Sequence, residues 1–247
     1  MKTLRKEYNI FMHTLIFFTR VPPFKMDYNP SHEKELLRYF SVIGLFTGIF
    51  QAGLFFLLSL FFPHKLSLLL SLGGITLITG AFHEDGLADS FDALWGGATL
   101  EKREMILKDS RLGTYGTMAL IFTTYLKVEA LAHITNLIPI IIVGHVLSRF
   151  LAIVPLLFQK YGGAAKSKSK NAARGLTPQN FLVNILFVAI SGALLTPKEI
   201  LLSFGTLPVL ILISLLIKQK MGFLRGDFFG MIQQCTEIAF YLMMTIK

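Results

Sequence analysis

From Ser41 to Phe62 the chain runs 22 residues without one charged side chain. A hydrocarbon core of about 30 Å takes roughly 17–25 apolar residues in helical form to cross, and a backbone inside it must satisfy its own hydrogen bonds. That one segment commits the chain to a membrane and to helices. Composition agrees: 53% of the residues are apolar and only 16% are charged, against about 25% charged in a soluble globular domain. Too little polar surface is left to clothe a water-soluble fold of 247 residues. The 23 Phe and the scarcity of charge exclude disorder, and the single Cys235 excludes a disulfide scaffold. No internal repeat, dinucleotide fingerprint or Walker loop is present.

Six further stretches are apolar enough to read as spans: Leu66–Phe82, Thr117–Pro139, Ile140–Phe158, Phe181–Leu195, Ile200–Ile217 and Phe228–Ile246. The Pro63-His64-Lys65 turn makes the first two spans an antiparallel hairpin. The expectation is an all-α integral membrane protein of about seven transmembrane helices, a single polytopic domain over residues 1–247. Polar segments would cover residues 1–40, 83–116 and 159–180. Leu4–Thr19, with Lys2, Arg5 and Lys6 nearby, reads as an N-terminal interfacial helix. Arg20-Val21-Pro22-Pro23 offers no small-residue cleavage site, so this segment is not read as a cleavable signal.

The net charge of +9 would suggest nucleic-acid binding in a soluble protein. Here its distribution explains it better. The N-terminal segment and the second, fourth and sixth connections carry 19 of the 24 Lys and Arg residues, whereas the opposite side carries Lys65, Lys198 and Lys247. Basic loops stay in the cytoplasm. The N-terminus is therefore expected inside and the C-terminus outside, in the cytoplasmic (inner) cell membrane, with the lipid bilayer and no nucleic acid as partner. A homo-oligomer is compatible with this arrangement.

Acids are rare, 15 in all, so their placement carries information. Glu84, Asp85, Asp89 and Asp92 fall within nine positions, where even scattering would place about 0.5. At about 100° per residue, Asp89 and Asp92 flank Asp85 on one helix face and Glu84 points elsewhere. Three carboxylates on one face repel unless a cation sits among them, and all-oxygen ligands favour a hard ion such as Mg²⁺. Gly86 and Gly96-Gly97 would let backbone approach a bulky ligand or bend the segment. A solvated acidic loop is the bland alternative, but the interleaved Leu87, Ala88, Phe91, Leu94 and Trp95 read as a packed helix. His83-Glu84 lacks the second His of a zinc-protease motif, because position 87 is Leu, so His83 reads as a hydrogen-bonding neighbour.

A second constellation, Lys108-Asp109-Ser110-Arg111-Leu112-Gly113-Thr114-Tyr115-Gly116, precedes the third span. Lys and Arg around a hydroxyl and two glycines can hold phosphate oxygens, although a helix-entry loop with topological charge looks the same. Beside the acids it describes metal-assisted phosphoryl transfer. Within the spans, Lys127, Glu129, His145 and Arg149 are functional candidates by default. Lys127 could snorkel to the interface, Arg149 could pair with Glu129 across helices, and His145 could be an interhelical hydrogen-bonder.

The stretch from Thr79-Gly80-Ala81-Phe82-His83-Glu84-Asp85-Gly86 through Asp92, together with Lys108–Gly116, closely resembles the cobalamin synthase family, the adenosylcobinamide-GDP ribazoletransferases. Phe18-Thr19-Arg20-Val21-Pro22 and Gly226-Asp227-Phe228-Phe229-Gly230 with Glu237 match further motifs of that family. Ala93 and Met231 depart from its usual Gly and Ala, without loss of a reactive group. The 159–180 loop does not align, so Lys166, Lys168, Lys170 and Arg174 receive no role from it.

The resemblance implies final nucleotide-loop assembly in cobalamin biosynthesis: a corrinoid nucleotide, adenosylcobinamide-GDP, joins α-ribazole or its 5′-phosphate, and GMP leaves. Mg²⁺ is the implied cofactor, with Glu84, Asp85, Asp89 and Asp92 as metal candidates. Asp92 is the candidate base, and Lys108 and Arg111 neutralise phosphate charge. Arg20, His83, Asp109, Ser110 and Asp227 are candidates for contact with substrate, and Glu237 is a weaker one. Three other readings share parts of the pattern: a membrane prenyltransferase, a CDP-alcohol phosphotransferase and, in a non-enzymatic class, a transporter. Acids at the margin rather than the midplane count against the last.

Overall fold

The computed structural model describes residues 2–22, 29–162 and 176–246. Lys166, Lys168, Lys170 and Arg174 lie outside the described residues. Among the described residues the regular structure is helical, apart from one isolated bridge between Tyr161 and Leu224. In chain order the helices are α1 (Lys2–Phe18), α2 (Phe40–Ser59), α3 (His64–Thr79), α4 (Phe82–Gly96), α5 (Leu100–Ile106) and α6 (Thr114–Ala132). There follow α7 (Leu137–Ile153), α8 (Pro178–Gly192), α9 (Pro197–Ser203), α10 (Thr206–Met221) and α11 (Gly226–Met244).

Each predicted span overlaps a helix, with informative differences at the ends. Three helical stretches are long and apolar enough to cross a membrane: Phe40–Ser59, Leu137–Leu157 and Pro197–Met221. The pair α3 and α4 would make a fourth if taken as one broken span, but it bends by 91°. The expected span Leu66–Phe82 stops at Thr79 because Gly80 and then Ala81 adopt left-handed backbone, φ 64° and 57°. Glycine takes that conformation without strain, whereas Ala81 pays for it, so the bend is imposed by its surroundings. The polar α4 therefore turns across the end of α3 instead of extending it.

Local chemistry explains the other boundaries. Pro63 starts α3 after the hairpin turn, and Thr177 caps α8 ahead of Pro178. Thr196 and Glu199 form a reciprocal capping box at α9. Between α6 and α7 the break falls at residues 133–136, short of the predicted Pro139.

α1 is a helix as expected, and one face of it buries Ile10, Met12, Leu15 and Phe18. Arg38 fastens it: its guanidinium donates twice to Glu7 (2.6 and 2.7 Å), once to Glu35 (3.0 Å) and once to Asn180 (2.8 Å). Burial raises the Glu7 carboxyl, but the hydrogen bonds from Arg38 and Tyr39 outweigh it and hold the acid below its usual range. One hydrophobic cluster joins α1, α2, α4, α7, α10 and α11, and a second joins α2, α3, α6, α7 and α11 around Phe55, Ile140 and Phe240. Central in both, α11 packs against α4 and α7.

Candidate active site

The site is assembled where α4 crosses the start of α11. A Cβ on Gly86 would sit 2.7 Å from the Asp227 carbonyl oxygen, and one on Gly230 would sit 2.7 Å from that of His83. Two facing glycines thus let the helix backbones touch. Gly86, read from sequence as room for a ligand or a bend, instead makes room for α11. The crossing brings Asp227 beside the α4 acids, although 135 residues separate it from Asp92.

Along α4 the three aspartates grade from open to closed: Asp85 is exposed, Asp89 is partly buried and Asp92 is buried. Burial, with the neighbouring carboxylates of Asp85, Asp227 and Asp92, pushes Asp89 up to about 7. Arg225 Nε lies 3.9 Å from Asp227, and burial still leaves the Asp227 carboxyl above its usual range.

The other two acids in the run do different work. Asp92 reaches to the start of α6, where its oxygens accept the amides of Gly113 at 2.8 Å and Gly116 at 2.9 Å. A carboxylate there satisfies orphan amides and suits the positive end of the helix. A Cβ on Gly113 or Gly116 would collide with it, which is why both positions are glycine. Glu84 points away from the aspartates, as its helix phase required. Its Oε1 accepts from Thr76 (3.5 Å) and from Gln234 (3.2 Å).

The donor set therefore narrows. Asp85, Asp89 and Asp227 offer hard oxygen ligands that repel one another, the chemistry a divalent cation relieves; Glu84 and Asp92 are spent elsewhere. Among the described residues no three Asp, Glu, His or Cys side chains form a ready ligand set. Mg²⁺ commonly takes only one or two carboxylates and completes its shell with water and substrate phosphate. The residues fit an ion that arrives with a polyphosphate.

The loop from Lys108 to Gly116 runs into the helix end that Asp92 holds. Lys108 and Ser110 are exposed, and Arg111 is 88% exposed, paired with Asp109 at 2.6 Å. That pair is a surface contact that solvent screens, so both side chains can turn to a ligand. Arg20 is exposed at the α3–α4 bend. Its amide donates to the Ile78 carbonyl (2.6 Å), and its side chain lies across Gly80. His83 is 2% exposed, beside the contacting rings of Phe18 and Phe40.

Sequence reasoning missed a polar network deeper in the bundle. Lys127 does not snorkel: its Nζ lies 2.8 Å from Glu237 Oε1 and 2.8 Å from Gln234 Oε1. Arg149 does not pair with Glu129, which bonds Lys65 at the surface (2.8 Å). It donates instead to His145 Nδ1 (3.0 Å), which also meets Thr47 (3.1 Å). With Nδ1 accepting, the imidazole is neutral and its Nε2–H donates to Gln51 (2.6 Å). His145 is thus the interhelical bonder it was expected to be. Two further basic residues counted as topological charge fix α4 in place. Lys220 donates to the Leu94 carbonyl (2.5 Å), and Arg103 bridges Gly97 (2.8 Å) to the carbonyl of Lys220 (2.7 Å).

The family described as cobalamin-5-phosphate synthase matches residues 10–245. The chain belongs to this family. It is 34% identical to a protein of Shewanella halifaxensis named adenosylcobinamide-GDP ribazoletransferase, over all of this chain and 98% of that one. A protein of the same name from Shewanella amazonensis is 30% identical over the same shares. No solved structure matches the chain. Membership in a family of synthases sets aside the prenyltransferase, CDP-alcohol phosphotransferase and transporter readings. Asp85 and most of the loop after α5 are exposed, and the partly buried Asp89 and Asp227 lie beside Asp85.

Proposed function

We propose that this protein joins adenosylcobinamide-GDP to α-ribazole, or to its 5′-phosphate, yielding adenosylcobalamin or its 5′-phosphate and GMP, and that it requires Mg²⁺. The names of its full-length relatives support the substrates. The observation that carries the chemistry is the close crossing of α4 and α11 at Gly86 and Gly230, which brings Asp227 beside Asp85 and Asp89. A carboxylate in such a cluster that is not committed to the ion can accept a proton from a bound hydroxyl.

In the reaction, the ribose 3′-hydroxyl oxygen attacks the phosphorus that carries cobinamide. The bond from that phosphorus to the bridging oxygen breaks, and GMP leaves with that oxygen. Asp89 accepts the hydroxyl proton, a role the sequence alone had pointed toward Asp92. Asp85, with Asp227 beside it, would hold Mg²⁺, which would supply charge neutralisation for the pyrophosphate and leave Asp89 free to take the proton. Lys108 and Arg111, released from Asp109, bind the phosphate oxygens from the loop, and Arg20 approaches from the α3–α4 bend. Asp92 keeps the loop in register through Gly113 and Gly116.

The same reading takes the chain as crossing the cytoplasmic membrane seven times with the N-terminus inside. The one-sided basic residues support it, and α6 and α11 fall short on hydropathy partly because they carry the internally paired Lys127 and Glu237. The acid cluster then faces the cytoplasm, where nucleotides are. The test is GMP release by purified protein in lipid nanodiscs. Product should form only when adenosylcobinamide-GDP, a ribazole and Mg²⁺ are all present; GMP release without ribazole would refute transfer.

A further inference from the structure

Arg225 sits between α5 and α11 in a setting unusual for a guanidinium. Counted in the sequence as topological charge, it is the residue immediately before α11 and makes no side-chain cap there. Its Nη1 lies 3.9 Å from Glu104 on α5, and its Nε lies 3.9 Å from Asp227 on α11. Both separations are too long for a hydrogen bond. The side chain is only 15% exposed, yet among the described residues its N–H groups donate to no acceptor. None of its nitrogens is sealed from solvent, so a ligand can reach them. The other inward arginines behave differently: Arg38, Arg103 and Arg149 each donate at least two hydrogen bonds no longer than 3.2 Å.

What this group lacks is an acceptor that fits it. A guanidinium is a planar fork of donors that matches two oxygens of a phosphate at once. Glu104 and Asp227 hold it loosely, by charge alone, at the edge of the acid cluster. A bare anion would be repelled there by Asp85, Asp89 and Asp227. A polyphosphate carrying Mg²⁺ answers the acids with its metal and the guanidinium with its oxygens.

We propose that Arg225 binds the pyrophosphate of the corrinoid nucleotide, donating a pair of N–H groups to its oxygens when substrate draws the guanidinium from Glu104 and Asp227. The inference rests on the transfer reaction above. It places a substrate-binding cation on the α11 side of the acids, in addition to those of the loop after α5.

The test compares Arg225→Gln and Arg225→Lys with wild type in nanodiscs, with unphosphorylated α-ribazole as acceptor so that the donor carries the only substrate phosphates. Arg225→Gln should raise the KM for adenosylcobinamide-GDP roughly 10- to 100-fold, the worth of hydrogen bonds to a charged group. Arg225→Lys keeps the charge but loses the fork, and should fall between. Lys198→Gln removes the same charge from an exposed position on α9, near the far end of α11, and should match wild type. The ribazole KM should not move in any of the three. An unchanged donor KM in folded Arg225→Gln overturns the proposal, whether or not the thermal midpoint falls, because a mere link between α5 and α11 would behave that way. A loss seen only with α-ribazole 5′-phosphate as acceptor also overturns it, since the anion bound would then be the acceptor's. Should Arg225→Gln not fold, Arg225→Lys decides: a donor KM raised severalfold sustains the proposal and an unchanged one overturns it. Equilibrium dialysis of GDP with Mg²⁺ separates the arginine from the reaction. If wild type transfers nothing, the functional reading fails, but GDP bound by wild type and at least about tenfold more weakly by Arg225→Gln sustains the phosphate site. Equal binding, or none by wild type, overturns it.

Discussion

The carboxylate of Asp92 accepts the amide of Gly116, 24 residues further along the chain, at 2.9 Å, and that of Gly113 at 2.8 Å. An acid that the helix phase assigned to the reactive face thus closes the N-terminus of α6. Asp92→Asn replaces one acceptor by a donor facing an amide. Stability should fall by about 1–2 kcal/mol, the usual worth of such a cap. Amide exchange at Gly113 and Gly116 should quicken and kcat should drop, while the Mg²⁺ concentration for half-maximal rate stays put. A shifted Mg²⁺ requirement would return Asp92 to the metal site.

The Asp89 carboxyl, raised to about 7, makes a signed prediction in pH. For the base role, kcat/KM should climb with pH along a limb that lies below the metal-free value of about 7, because a nearby Mg²⁺ favours the carboxylate, and Asp89→Asn should lose this limb and about 100-fold in rate. Stability should move the other way. A carboxyl whose folded pKa exceeds its unfolded value holds its proton more tightly when folded, so it costs stability as pH rises from the ordinary carboxylate range to about 7. Asp89→Asn should therefore melt higher than wild type at pH 8, and the gap should close on acidification. A lower midpoint at pH 8 would contradict the crowding of the acids.

Gly230→Ala tests the helix crossing. Its Cβ would stand 2.7 Å from the His83 carbonyl, a backbone atom that cannot swing aside. The expected cost is about 1–3 kcal/mol. Because α11 must shift, Asp227 should leave the acid cluster and the pH dependence of Asp89 should weaken, visible in the kinetic profile. Gly53→Ala, where nothing lies within 4 Å, should leave both unchanged.

Lys127 and Glu237, 2.8 Å apart and 6% and 1% exposed, form a buried pair. Removing one partner strands the other charge, so Lys127→Met should destabilise by about 3–5 kcal/mol. Lys127→Met with Glu237→Leu should recover most of this loss. The four thermal midpoints of this double-mutant cycle in one detergent measure the coupling, and additive losses would show that the pair is not an energetic unit.

The Glu7–Arg38 pair acts in the opposite pH sense to Asp89. Glu7 is held below the usual carboxylate range, so its contribution is present above that range and is lost as pH falls through the folded value. Glu7→Gln should lower the thermal midpoint at pH 7 and lose its effect on acidification. An effect that persists at low pH would assign the contact to packing alone.

Much of this was legible one residue at a time. The charge-free run from Ser41 to Phe62 reads as a helix, and the helix Phe40–Ser59 is long and apolar enough to cross a membrane; four acids within nine positions stand out in a chain so poor in charge. The motifs from Thr79 to Asp92 and from Lys108 to Gly116 pointed to the family because the spacing of chemistry-bearing residues survives where the rest drifts. Helix phase even separated Glu84 from Asp85. These are local properties, fixed by covalent order, helical period and the solvent's demand on the backbone.

What the side chains do with one another was decided only by the fold. Nothing within α4 says that Asp92 will spend its oxygens on α6, that Gly86 will meet Gly230, or that Lys127 will find Glu237 instead of the interface. Each outcome depends on which helices pack together, and that follows from shape and burial summed over the bundle. Sequence by itself determined the helices, the apolar runs long enough to span a membrane and the chemical inventory. Tertiary structure decided which of the acids stay open to a ligand, because a carboxylate's role is set by the donors and charges that packing brings within a few ångströms of it.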